Sequence, residues 1–151
     1  MLTPESLTGC EGQGADGRKQ PRAPWPDPEA TSEQMTENQL QQAVARLLDH
    51  SGLVWCHPPN GGNRTARTGA LMKSMGAKAG VPDVLIFNGT AYPDYFIGLA
   101  IELKVGKNKP TPAQLKWHED LWACGWRVDV CRTVDEVLVV LRECYPNKFK
   151  P

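Results

Sequence analysis

Two carboxylates and a lysine stand where apolar runs begin and end. Asp83 follows Val81-Pro82 and opens the run Asp83-Val84-Leu85-Ile86-Phe87. Glu102 and Lys104 close a second run, Phe96-Ile97-Gly98-Leu99-Ala100-Ile101. Side chains alternate along a strand, so Glu102 and Lys104 share one face while Ile101 and Leu103 point to the other. If the two runs pair as an antiparallel hairpin, the start of the first lies beside the end of the second. Asp83 and Glu102 then converge with Lys104 where the sheet opens to solvent. Carboxylate oxygens are the ligands that hard divalent ions such as Mg²⁺ or Mn²⁺ prefer. Alone, a Glu-x-Lys reads as a surface ion pair. The apolar flanks and the preceding Pro-Asp turn it into a candidate metal site.

A second Pro-Asp, Pro93-Asp94, competes for that role. Asp94 opens the strand that Glu102 closes, and eight strand residues at ~3.3 Å each hold the two roughly 26 Å apart. Asp94 is therefore read as a turn residue between Asn88-Gly89 and Tyr95, and Asp83 as the site residue.

The elements that must position these groups follow from periodicity and caps. Thr36-Glu37-Asn38-Gln39 is a capping box, and Leu40, Ala43, Val44, Leu47 and Leu48 follow at helical spacing. Glu37 is in register with that stripe, which places its carboxylate at the helix tip towards the sheet. Leu53–His57 reads as a strand. Residues 65–80 are expected to form one or two helical turns anchored by Leu71, Met72 and Met75, with glycines that leave backbone N–H groups open to phosphate. Thr111, Pro112 and Gln114 open a second main helix with another capping box, burying Leu115, His118, Leu121 and Trp122. Trp117 falls on its flank, as an interface residue or as part of the chain's own core. Trp126–Cys131 alternates as a strand. Thr133 opens a last helix that buries Val137, Leu138, Leu141 and Cys144 and stops before Pro146. The order α-β-β-β-α-β-α predicts an α/β fold with a mixed four-stranded sheet flanked by helices.

The chain has 151 residues, enough for one substantial core. Its formal net charge is zero, but residues 1–36 carry −3 and the remainder +3. No carboxylate lies between Asp49 and Asp83, whereas Arg64, Arg67, Lys73 and Lys78 do. A basic, acid-free segment leading into a carboxylate site fits a polyanion held by its phosphates. Five cysteines without a CxxC indicate neither a disulfide framework nor a zinc site, and read as mostly buried thiols of a cytoplasmic protein. No apolar run is long enough to span a bilayer, and the N-terminus lacks a signal-peptide core. Residues 1–35, rich in Gly, Pro and Ser, read as a disordered leader, residues 36–146 as the domain and 147–151 as a tail.

These residues, in this order, resemble the PD-(D/E)XK nuclease superfamily, and within it the virus-type replication-repair nuclease (VRR-NUC) family. The resemblance covers about residues 36–143. It rests on Glu37, His57-Pro58-Pro59-Asn60-Gly61-Gly62, Gly80-Val81-Pro82-Asp83, Ile101-Glu102-Leu103-Lys104 and Gln114. It implies a restriction-endonuclease-like core and Mg²⁺- or Mn²⁺-dependent hydrolysis of DNA. By the family pattern Glu37, Asp83 and Glu102 are the acidic metal cluster, with the Leu103 carbonyl as a further ligand. Lys104 orients water or stabilises the transition state, and Gln114 positions water or phosphate beyond its capping role. The DNA-holding segment is 57–80, with His57, Asn60, Arg64, Arg67, Lys73 and Lys78. Stand-alone phage and bacterial members of the family imply a symmetric homodimer acting on branched or Holliday-junction DNA, in a bacterial or phage-infected cell. The other readings are a non-catalytic nucleic-acid-binding module and a flap or restriction-type nuclease.

Overall fold

The computed structural model describes residues 35–58, 65–91 and 95–150. The leader to residue 34, Asn60, Arg64 and Asp94 lie outside the described residues.

The first helix, α1 (Glu37–Asp49), begins as its cap dictates. The Thr36 hydroxyl accepts from the Gln39 amide, and Gln39 Oε1 accepts in return from the Thr36 amide at 2.9 Å. Leu40, Ala43, Val44 and Leu48 are buried. The chain then forms β1 (Trp55–Cys56), α2 (Ala66–Ser74), β2 (Val84–Ile86), β3 (Gly98–Leu103), α3 (Pro112–Ala123), β4 (Trp126–Cys131) and α4 (Val134–Cys144). The sheet order is β1-β2-β3-β4, antiparallel across the first two pairs and parallel between β3 and β4. The expected mixed four-stranded sheet is therefore present, flanked by four helices among the described residues.

Strand β3 is the centre of the fold, and all six of its residues are buried. Leu99, Ile101 and Leu103 join Leu40, Val44 and Leu48 of α1 and Val137 and Leu141 of α4 in one apolar core. The alternate residues Gly98, Ala100 and Glu102 face the other way, where Gln114 and His118 of α3 meet Glu102.

Several expectations are corrected. The region 65–80 forms a nine-residue helix with no buried residue; Leu71 and Met75 are exposed, so they anchor nothing. β1 keeps two of the five residues expected of it, and β3 begins at Gly98 rather than at Phe96. In α4, Val140 rather than Leu138 is buried. The largest change is in α3. Leu115 and Trp122 are exposed, and the half-buried residues are Gln114, Trp117, His118 and Leu121. That pattern keeps His118 and Leu121 and exchanges Leu115 and Trp122 for Gln114 and Trp117, a turn of roughly 60° about the axis. The rotation follows the polar partners: Gln114 bonds Glu102, and the Trp117 indole N–H donates to the Ala79 carbonyl at 3.0 Å. Trp117 thus packs within its own chain, while Trp122 lies outside against Phe96, ring centroids 5.4 Å apart.

Of the four described cysteines, Cys131 and Cys144 are buried and Cys56 and Cys124 exposed, all as free thiols. Residues 147–150 are not a separate tail in space, since Phe149 packs against the core. No helix among the described residues is long and apolar enough to cross a membrane.

Candidate active site

The hairpin register builds the site. Val84 pairs with Ile101, so the residue before β2 and the residue after Ile101 are neighbours across the pair. Asp83 and Glu102 hold those positions. The Asp83 carboxylate extends the ladder by one bond, Oδ2 accepting from the Leu103 amide at 2.9 Å. Glu102 is fully buried. Its Oε1 accepts from Lys104 Nζ at 2.5 Å and from the Gln114 side-chain amide. Lys104 also donates to the Leu103 carbonyl at 3.2 Å.

Two contacts hold the Asp83 loop and α3 in register. Gly80 has φ +83°, and a Cβ there would come within 2.6 Å of the Ala113 backbone. Only glycine permits that approach in that conformation. The Trp117–Ala79 hydrogen bond secures the same strap one residue earlier. Gln114 is brought to Glu102 by this clamp, and it has two roles at once. Its Oε1 accepts from the Thr111 amide at 2.8 Å to close the capping box, while its Nε2 donates to Glu102.

Burial sets the electrostatics. It pushes Glu102 from an ordinary 4.5 up to about 7, against the Lys104 hydrogen bond that favours the charged form; the nearby Asp83 charge raises it further. His118 is held below its ordinary value, chiefly by burial and then by the charge of Lys104, so the ring is neutral at pH 7. One oxygen of Glu102, Oε2, is buried without a hydrogen-bond partner, and so is His118 Nε2. The two are 3.9 Å apart.

A buried carboxylate with an unpartnered oxygen, a second carboxylate and the Leu103 carbonyl form an all-oxygen donor set that fits a hard divalent cation. Among the described residues no three His, Cys, Asp or Glu side chains gather as a metal-holding group. A cation here therefore draws on two carboxylates, a backbone carbonyl and outside oxygens. Glu37 does not supply a packed third carboxylate. It is exposed on the first turn of α1.

The groups expected to meet DNA divide. His57 is exposed at the edge of the site, its Nδ1 donating to the Asp83 carbonyl at 2.6 Å. Arg67, Lys73 and Lys78 are exposed on or just after α2. His118 and Gly80 were not singled out from the sequence for these local roles. The signal for His118 was its spacing, four residues beyond Gln114 and hence on the same helix face.

A model of the VRR-NUC domain family matches residues 35–135. A solved structure named "VRR_NUC domain protein" is similar at 28% identity and a TM-score of 0.60, over 74% of this chain and 89% of that one. A comparison with curated proteins finds no match.

Proposed function

The chain belongs to the VRR-NUC domain family, a nuclease-type fold, and on that premise we propose that it is a Mg²⁺- or Mn²⁺-dependent DNA endonuclease. The observation that carries the reading is the fully buried Glu102, bonded through one oxygen to Lys104 and Gln114 and unpartnered at the other, beside Asp83. A buried carboxylate so disposed is costly as a structural device. As a cation ligand it has a use.

Asp83, Glu102 and the Leu103 carbonyl are the residues that would hold the ion; the family pattern adds Glu37, on the first turn of α1. A divalent ion bound there acidifies water and offsets phosphate charge. The protein's own groups do the rest. Gln114 fixes the rotamer of Glu102 from α3. Lys104, which donates to both Glu102 and the Leu103 carbonyl, stands where it can orient the attacking water or stabilise the pentavalent transition state. His57, Arg67, Lys73 and Lys78 offer donors to DNA phosphates along the approach, with Asn60 and Arg64 from the same segment.

Branched DNA and a homodimer complete the proposal. One domain provides one such site, and a four-way junction needs two cuts related by a two-fold axis. Phe87, Ile97 and Trp122 are each at least half exposed, which supplies apolar surface for a second copy. The test is incubation with Mg²⁺ or Mn²⁺ and a panel of linear, flapped, forked and four-way-junction DNAs, with light scattering of the same preparation. Paired nicks on the junction by a dimer are expected. Cleavage of flaps alone, or by a monomer, removes the junction-resolving role; no cleavage of any substrate leaves the non-catalytic binding module.

A further inference from the structure

Buried polar atoms almost always have a hydrogen-bond partner. Glu102 Oε2 and His118 Nε2 both lack one, and they face each other. Their 3.9 Å separation is too long for a direct hydrogen bond. It is also short of the roughly 4.5 Å that one water spans with two bonds of about 2.8 Å at a near-tetrahedral angle, and neither buried atom leaves room for one, so the two groups face each other directly. The coincidence is informative because the neighbouring groups are matched. Glu102 Oε1 has two donors, Asp83 Oδ2 has the Leu103 amide, and Gln114 is used at both ends. His118 is also not there by apolar default. α3 presents Gln114 and His118, one turn apart, to the same carboxylate, one to each oxygen.

We propose that His118 is a positioning residue for the cation site, its Nε2 facing Glu102 Oε2 directly and thereby fixing which oxygen of that carboxylate is presented to the ion. This rests on the metal-site reading above and adds a residue to it. Ligating carboxylates are oriented by their hydrogen-bonding neighbours, and loss of such a neighbour weakens metal binding by about 10- to 100-fold. His118 takes this role for Oε2 as Gln114 takes it for Oε1. The two donors converge from one helix, so the carboxylate plane is set by α3 and not by the strand that carries it.

The experiment measures ion binding at one fixed pH, without DNA. Free Mn²⁺ is followed by electron paramagnetic resonance during titration of the wild type, His118→Ala and His118→Gln. His118→Ala should weaken Mn²⁺ binding about tenfold. His118→Gln, which keeps a donor of similar reach, should recover most of it. A second arm needs no variant: the ring ¹⁵N signals of the three histidines are recorded as diamagnetic Mg²⁺ is added to the wild type. His118 Nε2 should shift at saturation while His50 stays still. Wild-type Mn²⁺ affinity in folded His118→Ala, or a His118 signal indifferent to saturating Mg²⁺, overturns the proposal and leaves the metal site standing. A wild-type protein that binds neither ion overturns both. If His118→Ala fails to fold, the Mg²⁺ titration decides.

Discussion

The two faces of β3 are made by one six-residue strand and have opposite chemistry. Towards α1 and α4 it presents Leu99, Ile101 and Leu103, buried against Leu40, Val44, Val137 and Leu141. Towards α3 it presents Gly98, Ala100 and Glu102, with Lys104 next in register. The first face is filled with branched aliphatics, the side chains that store stability. The second is nearly bare until Glu102, and α3 covers it without burying a residue of its own. The difference teaches where each property resides. Stability comes from the α1/α4 side, so the α3 side is free to carry a buried carboxylate that costs stability.

That division predicts opposite phenotypes for adjacent residues. Glu102→Gln should lower cleavage by at least roughly a thousandfold. It removes a buried charge but keeps an oxygen for Lys104 and Gln114, so the metal-free protein should melt at or above the wild-type temperature. Ile101→Ala should do the reverse, costing about 2–5 kcal/mol while sparing the activity of each folded molecule. Asp83 is best tested as Asp83→Asn, which preserves the acceptor that the Leu103 amide needs. It should be as inactive as Glu102→Gln and nearly as stable as the wild type. Denaturant melts and single-turnover cleavage check all three. Substantial activity in Glu102→Gln removes the metal assignment.

Lys104→Met should follow, lowering turnover by roughly a hundredfold. The wild-type ammonium donates to Glu102 and to the Leu103 carbonyl, two of the groups proposed to hold the ion. Removing it takes away a competing cation, so calorimetric Mn²⁺ affinity should hold or rise. A loss of binding as large as that of Asp83→Asn would make Lys104 part of the binding site itself.

The polar face also gives stability a pH dependence. Burial raises Glu102 to about 7 in the fold, from 4.5. Between those values the folded protein keeps a proton that the unfolded chain has lost. Stability of the metal-free protein therefore falls as pH rises from about 4.5 to 7, by at most about 3 kcal/mol, and levels off above. His118, depressed in the fold, contributes the opposite slope below its ordinary 6.5. Thermal melts across pH 5–8 should show the Glu102 trend, and Glu102→Gln should flatten it. Saturating Mg²⁺ should restore stability at pH 8, because the ion favours the charged carboxylate. A stability curve that rises from pH 5 to 8 without metal would put Glu102 in a more solvated setting than β3 gives it.

The aliphatic face was legible in the sequence and the polar face only in part. α1, its capping box and the hairpin pairing of Asp83 with Glu102 follow from periodicity, turn chemistry and strand alternation, all of which are local signals. So does β4, observed over the six residues expected. The α3 side defeats that procedure. Leu115 and Trp122 look like core, but the helix turns away from them to satisfy Glu102 and the Ala79 carbonyl. A hydrophobic pattern contains no record of a buried charge on another element. Glu37 is exposed for the related reason that its periodicity fixes an angle about the helix and not a depth.

Gln114 gives the finest test, because one side chain serves both the helix and the site. A capping box accepts Glu as readily as Gln. Only Gln, however, offers the amide N–H that Glu102 receives. Gln114→Glu therefore keeps the cap while setting a second carboxylate against a buried one, and Gln114→Ala loses the returning half of the capping box and the donor together. At pH 8 without metal, Gln114→Glu should melt below Gln114→Ala, since like charges in a dry site cost more than the missing half of a capping box, about 1 kcal/mol. At pH 5 the order should reverse. Glu102 is then protonated, the two carboxyls can share a proton, and the alanine variant still lacks that half of the capping box. Cleavage by Gln114→Glu should fall by roughly tenfold at neutral pH, the loss associated with misorienting a ligating carboxylate. If Gln114→Glu matches the wild type in both melts and cleavage, Gln114 is a cap alone, and the orientation of Glu102 must come from β3 and Lys104.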